Sequence, residues 1–261
     1  AIMSYSSDKL YEGKLVASES VKDHLLSDKM ENTESIELAT NPVVLIDTDG
    51  CDMWECGGQS QSKYNEGEAT VVCKIVRQLV NDVKMDPAEI GVITPYNAQV
   101  DLLRQLLRPE YPTLEINSID SFQGREKEAI IISFVRSNET REVGFLSSDK
   151  RTNVAITRAR RLLVLVANTD TTSTHPFLKQ LWAYCEENGE YWSAAEFVQT
   201  DAIIHYSAPP TKQVERPKPQ AKPKEKPQPK PKAVARKVGP KEVNQSHNQF
   251  GSIDTPLDAE S

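Results

Sequence analysis

The chain has 261 residues, 38% of them hydrophobic, with a mean hydropathy of −0.52 and a net charge of −7. That length can bury a substantial core, but no run approaches the roughly 20 apolar residues that cross a bilayer and no signal-peptide pattern opens the chain, so no membrane partner is expected. Cys51, Cys56, Cys73 and Cys185 form no CxxC pair and have no histidine at ligand spacing. No zinc or other metal site is therefore expected, and a reduced, intracellular setting fits.

From residue 41 the chain alternates strand and helix signals. NPVVLIDTDG (41–50) is an apolar burst closed by a turn. EGEATVVCKIVRQLVNDV (66–83) has helical apolar spacing, with Asn65 as N-cap and Glu68 as its capping-box partner. EIGVITPYN (89–97) is a strand that stops at Pro95, and AQVDLLRQLLRP is a helix stopped by Pro109. LEINSID (114–120) and AIIISFV (129–135) are two further strands. SSDKRTNVAITRAR reads as a helix leading into the strand LLVLV (162–166), and HPFLKQLWAYCEEN (175–188) is an amphipathic helix with Pro176 in its first turn. This alternation predicts an α/β fold, a parallel sheet with helices on both faces, over residues 1–208. Residues 209–261 are predicted to be a disordered linker and tail.

The net charge conceals an asymmetry. Residues 211–242 hold 11 Lys and Arg against 3 Asp and Glu, a net of +8, while residues 243–261 carry −3, which leaves −12 for residues 1–210. The segment ERPKPQAKPKEKPQPKPKAVARKVGPKE alternates proline with lysine and has no aromatic residue. It cannot bury enough surface to offset chain entropy, so it serves as a solvated spacer or as an auxiliary contact to phosphates.

In open parallel sheets the chemistry gathers beyond the carboxyl ends of the strands, which directs attention to three loops. TPYNAQ (94–99) turns at Pro95 and sets Tyr96, Asn97 and Gln99 on the sheet's rim; a turn with a helix cap at Asn97 is the plainer reading. NSIDSFQGREKEAIII (117–132) crowds polar residues around Gly124, with Phe122 as its one apolar anchor. RTNVAITRARR (151–161) carries four arginines beside a core strand. On a helix Arg151, Val154, Ala155 and Arg158 share one face, so Arg158 is expected to be held in place. An ion pair with Glu126 or Glu128, or contact with a phosphate, accounts for it equally well.

Taken together, TPYNAQVDLLRQLL, SIDSFQGREKEAIIISFVRSN with VGFL, and RTNVAITRARR resemble motifs IV, V and VI of superfamily 1 helicases. The group is that of the nonsense-mediated decay helicase, and the wording is closest to its S-mu-binding branch. The resemblance covers roughly residues 1–200 and corresponds to the second RecA-like domain. It implies that Arg158 reaches the γ-phosphate of ATP, that Glu126 contacts the ribose, and that Gln123 and Gly124 shape the nucleotide cleft. Thr94, Pro95, Tyr96 and Asn97, with Ser118 and Asp120, are implied to face the nucleic-acid backbone. It further implies 5′-to-3′ movement on single-stranded DNA or RNA, a monomer, and residence in cytoplasm and nucleus. ATP and Mg2+ would be held mainly by a first RecA-like domain, since no GxxxxGK[ST] occurs in this sequence. The chain alone is accordingly expected not to hydrolyse ATP. Asp47 lacks the adjacent Glu of a Walker B strand. An ATP-independent binding or adaptor module is the alternative reading, and a helicase–nuclease a third.

Overall fold

The computed structural model describes residues 1–29, 36–57 and 62–198. The basic tail expected over 209–261 lies outside the described residues. In chain order the elements are α1 (Ile2–Leu10), α2 (Glu37–Thr40), β1 (Val43–Asp47), α3 (Glu66–Asn81), β2 (Ile90–Thr94), α4 (Asn97–Leu107) and β3 (Glu115–Ser118). Then come β4 (Lys127–Ser133), α5 (Asp149–Ile156), β5 (Ala159–Ala167), α6 (Thr169–Thr172), α7 (Pro176–Asn188), β6 (Glu190–Ser193) and α8 (Ala195–Val198). The six strands form one sheet in the order β3-β2-β4-β5-β1-β6. Every pairing in it is parallel. This is the α/β, RecA-like architecture expected from the sequence.

The strands are continuous apolar runs because both faces are covered. Val44, Ile46, Val92, Ile131, Val164 and Val166 lie in one core with residues of α3 and α4. Their neighbours Val43, Leu45, Ile93, Ile130, Ile132, Leu163 and Leu165 lie in a second core with residues of α1, α5 and α7. Each such side chain contributes roughly 1.5–3 kcal/mol when fully buried. Five elements escaped the sequence reading: α1, α2, α6, β6 and α8. Helix α1 packs Tyr5 into the second core, and the four-residue β6 extends the sheet beside β1.

The capping box at α3 is only half made. Asn65 Oδ1 accepts the Glu68 N–H at 2.9 Å, but the Glu68 carboxylate does not return to the Asn65 N–H. That N–H donates to Gln99 Oε1 at 2.8 Å, and Glu68 turns instead into the end of β4, where it accepts from Val135 N at 2.8 Å. Tertiary partners outcompete the local motif.

Asp47, at the end of β1, has a structural occupation. Its carboxylate accepts from Asp49 N, Thr169 N and the hydroxyls of Thr169 and Tyr191, tying β1 to α6 and β6.

Candidate functional site

The helix expected to carry Arg158 ends two residues earlier, at Ile156, and β5 begins at Ala159. Arg158 therefore sits in the turn between them, while Arg160 and Arg161 already belong to the strand. The cause is the pairing with β4. Lys127 is opposite Ala159 and Ala129 is opposite Leu162, so a bulge sets two arginines against one glutamate. Glu128 meets Arg160 at 3.3 Å through one oxygen and Arg161 at 2.8 Å through the other. Arg160 also approaches Glu126 at 3.4 Å, and Arg161 approaches Asp28 at 3.3 Å. Burial opposes ionisation of Glu128, but Lys29, Arg160 and Arg161 hold its carboxyl below the ordinary range. The hydrogen bonds that Arg160 donates to Glu128 and Glu126 raise its pKa.

Arg151 is likewise paired, with the carboxylate of Asp120, whose hydrogen bond raises its pKa. Arg158 is different. Its Nε donates to Val154 O at 2.9 Å, its Nη2 to Thr157 Oγ1 at 3.2 Å and its Nη1 to Arg125 O at 3.5 Å. Among the described residues it alone of these four arginines has no carboxylate partner. Three neutral oxygens thus fix a half-buried guanidinium whose charge is left uncompensated.

The turn beside it carries the other nucleotide candidates. Gln123, Gly124 and Glu126 are exposed, and Arg158 O accepts Lys127 N–H at 3.1 Å, which holds the two loops together. Gly124 has φ +80° with open space around its Cβ position, so it is there for the left-handed backbone rather than for room. Phe122 anchors the loop as expected. It is fully buried, and its ring occupies the space that a side chain at Gly91 would fill, Cζ lying 2.6 Å from an added Cβ.

The site departs from the expected position in one respect. Gln123, Gly124, Glu126 and Arg158 gather at the amino ends of β4 and β5, since the loop from β3 crosses the sheet before reaching β4. The carboxyl ends carry only the second group, Thr94 to Asn97 and Ser118. The two edges are one strand apart, roughly 20 Å for the seven residues of β4.

At the carboxyl edge the candidates face in different directions. Asn97 is exposed and opens α4, whose N-cap is Tyr96 without a side-chain cap bond. Ser118 is half-buried and donates to the Ser121 hydroxyl at 3.0 Å. Pro95 is half-buried. Thr94 and Tyr96 are buried, so they support the rim rather than form its surface. Asp120 is exposed on the loop that follows Ser118 and pairs with Arg151 of α5.

Sequence reasoning missed the residues that hold this rim, namely Glu55, Glu68, Arg136 and Gly144. Arg136, buried, donates to Glu55 at 2.7 Å and to the Tyr96 hydroxyl at 3.3 Å. Burial pushes the Glu68 carboxyl up to about 8, against the lowering effect of its bonds from Ser133 and Val135. The one available signal was a charged residue inside an apolar run, such as Glu68 within α3.

A protein family described as an AAA domain matches residues 1–170. The chain is 46% identical over 208 residues to the rat (Rattus norvegicus) DNA-binding protein SMUBP-2, covering 79% of this chain and 21% of that protein. It is 42% identical over 194 residues to the DNA polymerase alpha-associated DNA helicase A of Schizosaccharomyces pombe, and 40% identical over 200 residues to that of Saccharomyces cerevisiae. Each of these two matches covers 72% of this chain and 29% of the relative. The chain thus spans less than a third of the length of these relatives. Sheet order, motif placement and these similarities agree: the chain belongs to the AAA-domain family, within the superfamily 1 helicases of the S-mu-binding group.

Proposed function

We propose that residues 1–208 are the second motor domain of an ATP-dependent helicase that moves 5′ to 3′ along single-stranded nucleic acid. The observation that carries this reading is the uncompensated, rigidly held Arg158 beside the exposed Gln123–Glu126 turn. A guanidinium bound only by carbonyl and hydroxyl oxygens keeps its full charge for an incoming anion, and its planar fork suits a phosphate. A pure binding module has no use for such a group.

No phosphate-cradling loop occurs in this sequence, so ATP and its Mg2+ would be held chiefly by the preceding RecA-like domain, and hydrolysis there supplies the energy for movement. The part of this chain is narrower. Closure of the two domains brings Arg158 to the γ-phosphate, Glu126 to the ribose and Gln123 with Gly124 to the cleft wall. Opening withdraws them. At the opposite edge Asn97 and Ser118 offer donors to the phosphodiester backbone, with Thr94, Pro95 and Tyr96 shaping the rim and Asp120 held by Arg151 on the loop that follows Ser118. Backbone contact of this kind tracks a strand without reading its sequence. The relatives named as DNA helicase and DNA-binding protein support a nucleic-acid strand as the track.

The test uses the intact parent protein and a duplex with one single-stranded overhang. ATP-dependent strand displacement is expected on a 5′ overhang and not on a 3′ overhang. Binding of the strand with no ATP turnover in its presence would favour the adaptor reading instead.

A further inference from the structure

At the carboxyl edge a chain of buried polar contacts joins three loops. Glu55 Oε2 accepts from Arg136 Nε at 2.7 Å, from Ser137 N at 3.1 Å and from Asn138 Nδ2 at 2.9 Å. Arg136 Nη1 reaches the Tyr96 hydroxyl at 3.3 Å, and the same hydroxyl accepts the Phe145 N–H at 3.4 Å. The Arg136 and Glu55 side chains are only 7% and 9% exposed. Such an ion pair contributes little net stability, because desolvation offsets its attraction. It does fix the geometry of what surrounds it.

Two backbone features show how closely that geometry is set. Gly144 has φ +54°, and a Cβ there would lie 2.0 Å from Arg136 Nη1 and 2.9 Å from the Tyr96 hydroxyl. Val135 is β-branched yet has φ +72°, and the buried Glu68 accepts its N–H at 2.8 Å. Strain of this sort persists only where the surroundings over-determine it.

The scaffold ends on an exposed aromatic ring at each side. Trp54 is 52% exposed although both of its neighbours are pinned. Met53 O accepts from Asn65 Nδ2 at 2.8 Å, and Glu55 N donates to Ser137 O at 3.0 Å. Phe145 is 45% exposed, its ring centroid 5.4 Å from that of Tyr96 at 44°, while the next residue, Leu146, is buried. Folding leaves both rings in water on fixed backbones, on the edge that also presents Asn97. Flat apolar faces beside backbone donors match the way unpaired bases are held without regard to sequence.

We infer that Trp54 and Phe145 are stacking surfaces for bases of the single strand, with the Glu55–Arg136 pair as their positioning element. The inference rests on the proposed reading that this edge carries a strand, and adds that the strand is gripped by base faces as well as by its backbone. The test compares binding of the intact parent protein to a single-stranded thymidine oligonucleotide and to an abasic strand of equal length, by fluorescence anisotropy. Wild type is expected to prefer the strand with bases. Trp54→Ala and Phe145→Ala are each expected to weaken thymidine binding roughly 5- to 100-fold, given typical base–aromatic stacking strengths, and to leave abasic binding unchanged. Trp54→Phe and Phe145→Tyr retain most of the affinity. Tryptophan emission is expected to be quenched by the thymidine strand, and Trp54→Phe removes that quench. Both rings lie outside the core, so an unchanged urea midpoint keeps folding out of the comparison. Equal binding of both strands by wild type and by both alanine variants overturns the inference while leaving strand binding intact. Failure of wild type to bind either strand removes the inference and the strand-binding reading together.

Discussion

Replacing Glu68 with glutamine removes one titration and little else. The carboxyl is fully buried; its Oε2 accepts from Ser133 Oγ at 2.6 Å and from Val135 N at 2.8 Å, while Oε1 has no hydrogen-bond partner. The side-chain amide of the Glu68→Gln variant would accept the same two bonds and bury one partnerless donor group, as the protonated acid does. Burial raises the folded-state pKa from 4.5 to about 8. Below pH 4.5 both folded and unfolded chains hold the proton. Between 4.5 and 8 only the folded chain does, so stability falls with rising pH by about 1.4 kcal/mol per pH unit. Above 8 both are ionised and the penalty is constant. Urea unfolding of wild type and Glu68→Gln at pH 5, 6.5 and 8 isolates this effect, because all other groups titrate in both. The two should agree to within about 1 kcal/mol at pH 5. The variant should be more stable by about 3 kcal/mol at pH 6.5 and on the order of 4 kcal/mol at pH 8. A difference that stays constant between pH 5 and 8 would mean that Glu68 does not titrate in this window, and the burial argument would fail.

Phe122→Ala should cost about 3–5 kcal/mol by the urea midpoint, since the ring is fully buried between the motif loop and β2. Gly91→Val should cost about 1–3 kcal/mol, because its Cβ would meet the Phe122 ring at 2.6 Å and Ile130 Cδ1 at 2.7 Å. Arg136→Ala leaves Glu55 buried without its cation and should cost about 3–5 kcal/mol, with the double variant Arg136→Met, Glu55→Leu recovering much of that in thermal unfolding.

Most of the sheet was readable because a parallel strand covered on both faces is a short apolar run such as VVLID or AIIIS, which its length, β-branched residues and flanking turns reveal. Strand β6 was not, since EYWS is a short edge strand, only partly buried and without an apolar run. The arginine cluster misled in a specific way. Helical spacing set Arg151 and Arg158 on one face, but the bulge opposite Glu128 drew Arg160 and Arg161 into a strand and ended the helix first. Pairing across the sheet is long-range information that local spacing does not contain. The same holds for Glu68, whose capping pattern was sound but whose carboxylate found better partners 65 and 67 residues away. The candidate residues were named through the family motifs. Their division between two opposite edges required the crossover from β3 to β4.

The role of Arg158 is tested most directly by ATP turnover of the intact parent protein, with and without single-stranded DNA or RNA, for wild type and Arg158→Lys. Lysine keeps the charge but lacks the planar fork, and it cannot reproduce the three bonds that now fix the guanidinium. Arginine fingers contribute on the order of 10³–10⁵ in rate. Strand-stimulated turnover should collapse by at least about 100-fold while ATP binding and strand binding persist. Unchanged turnover would contradict the finger assignment and leave Arg158 as a structural residue of the turn between α5 and β5.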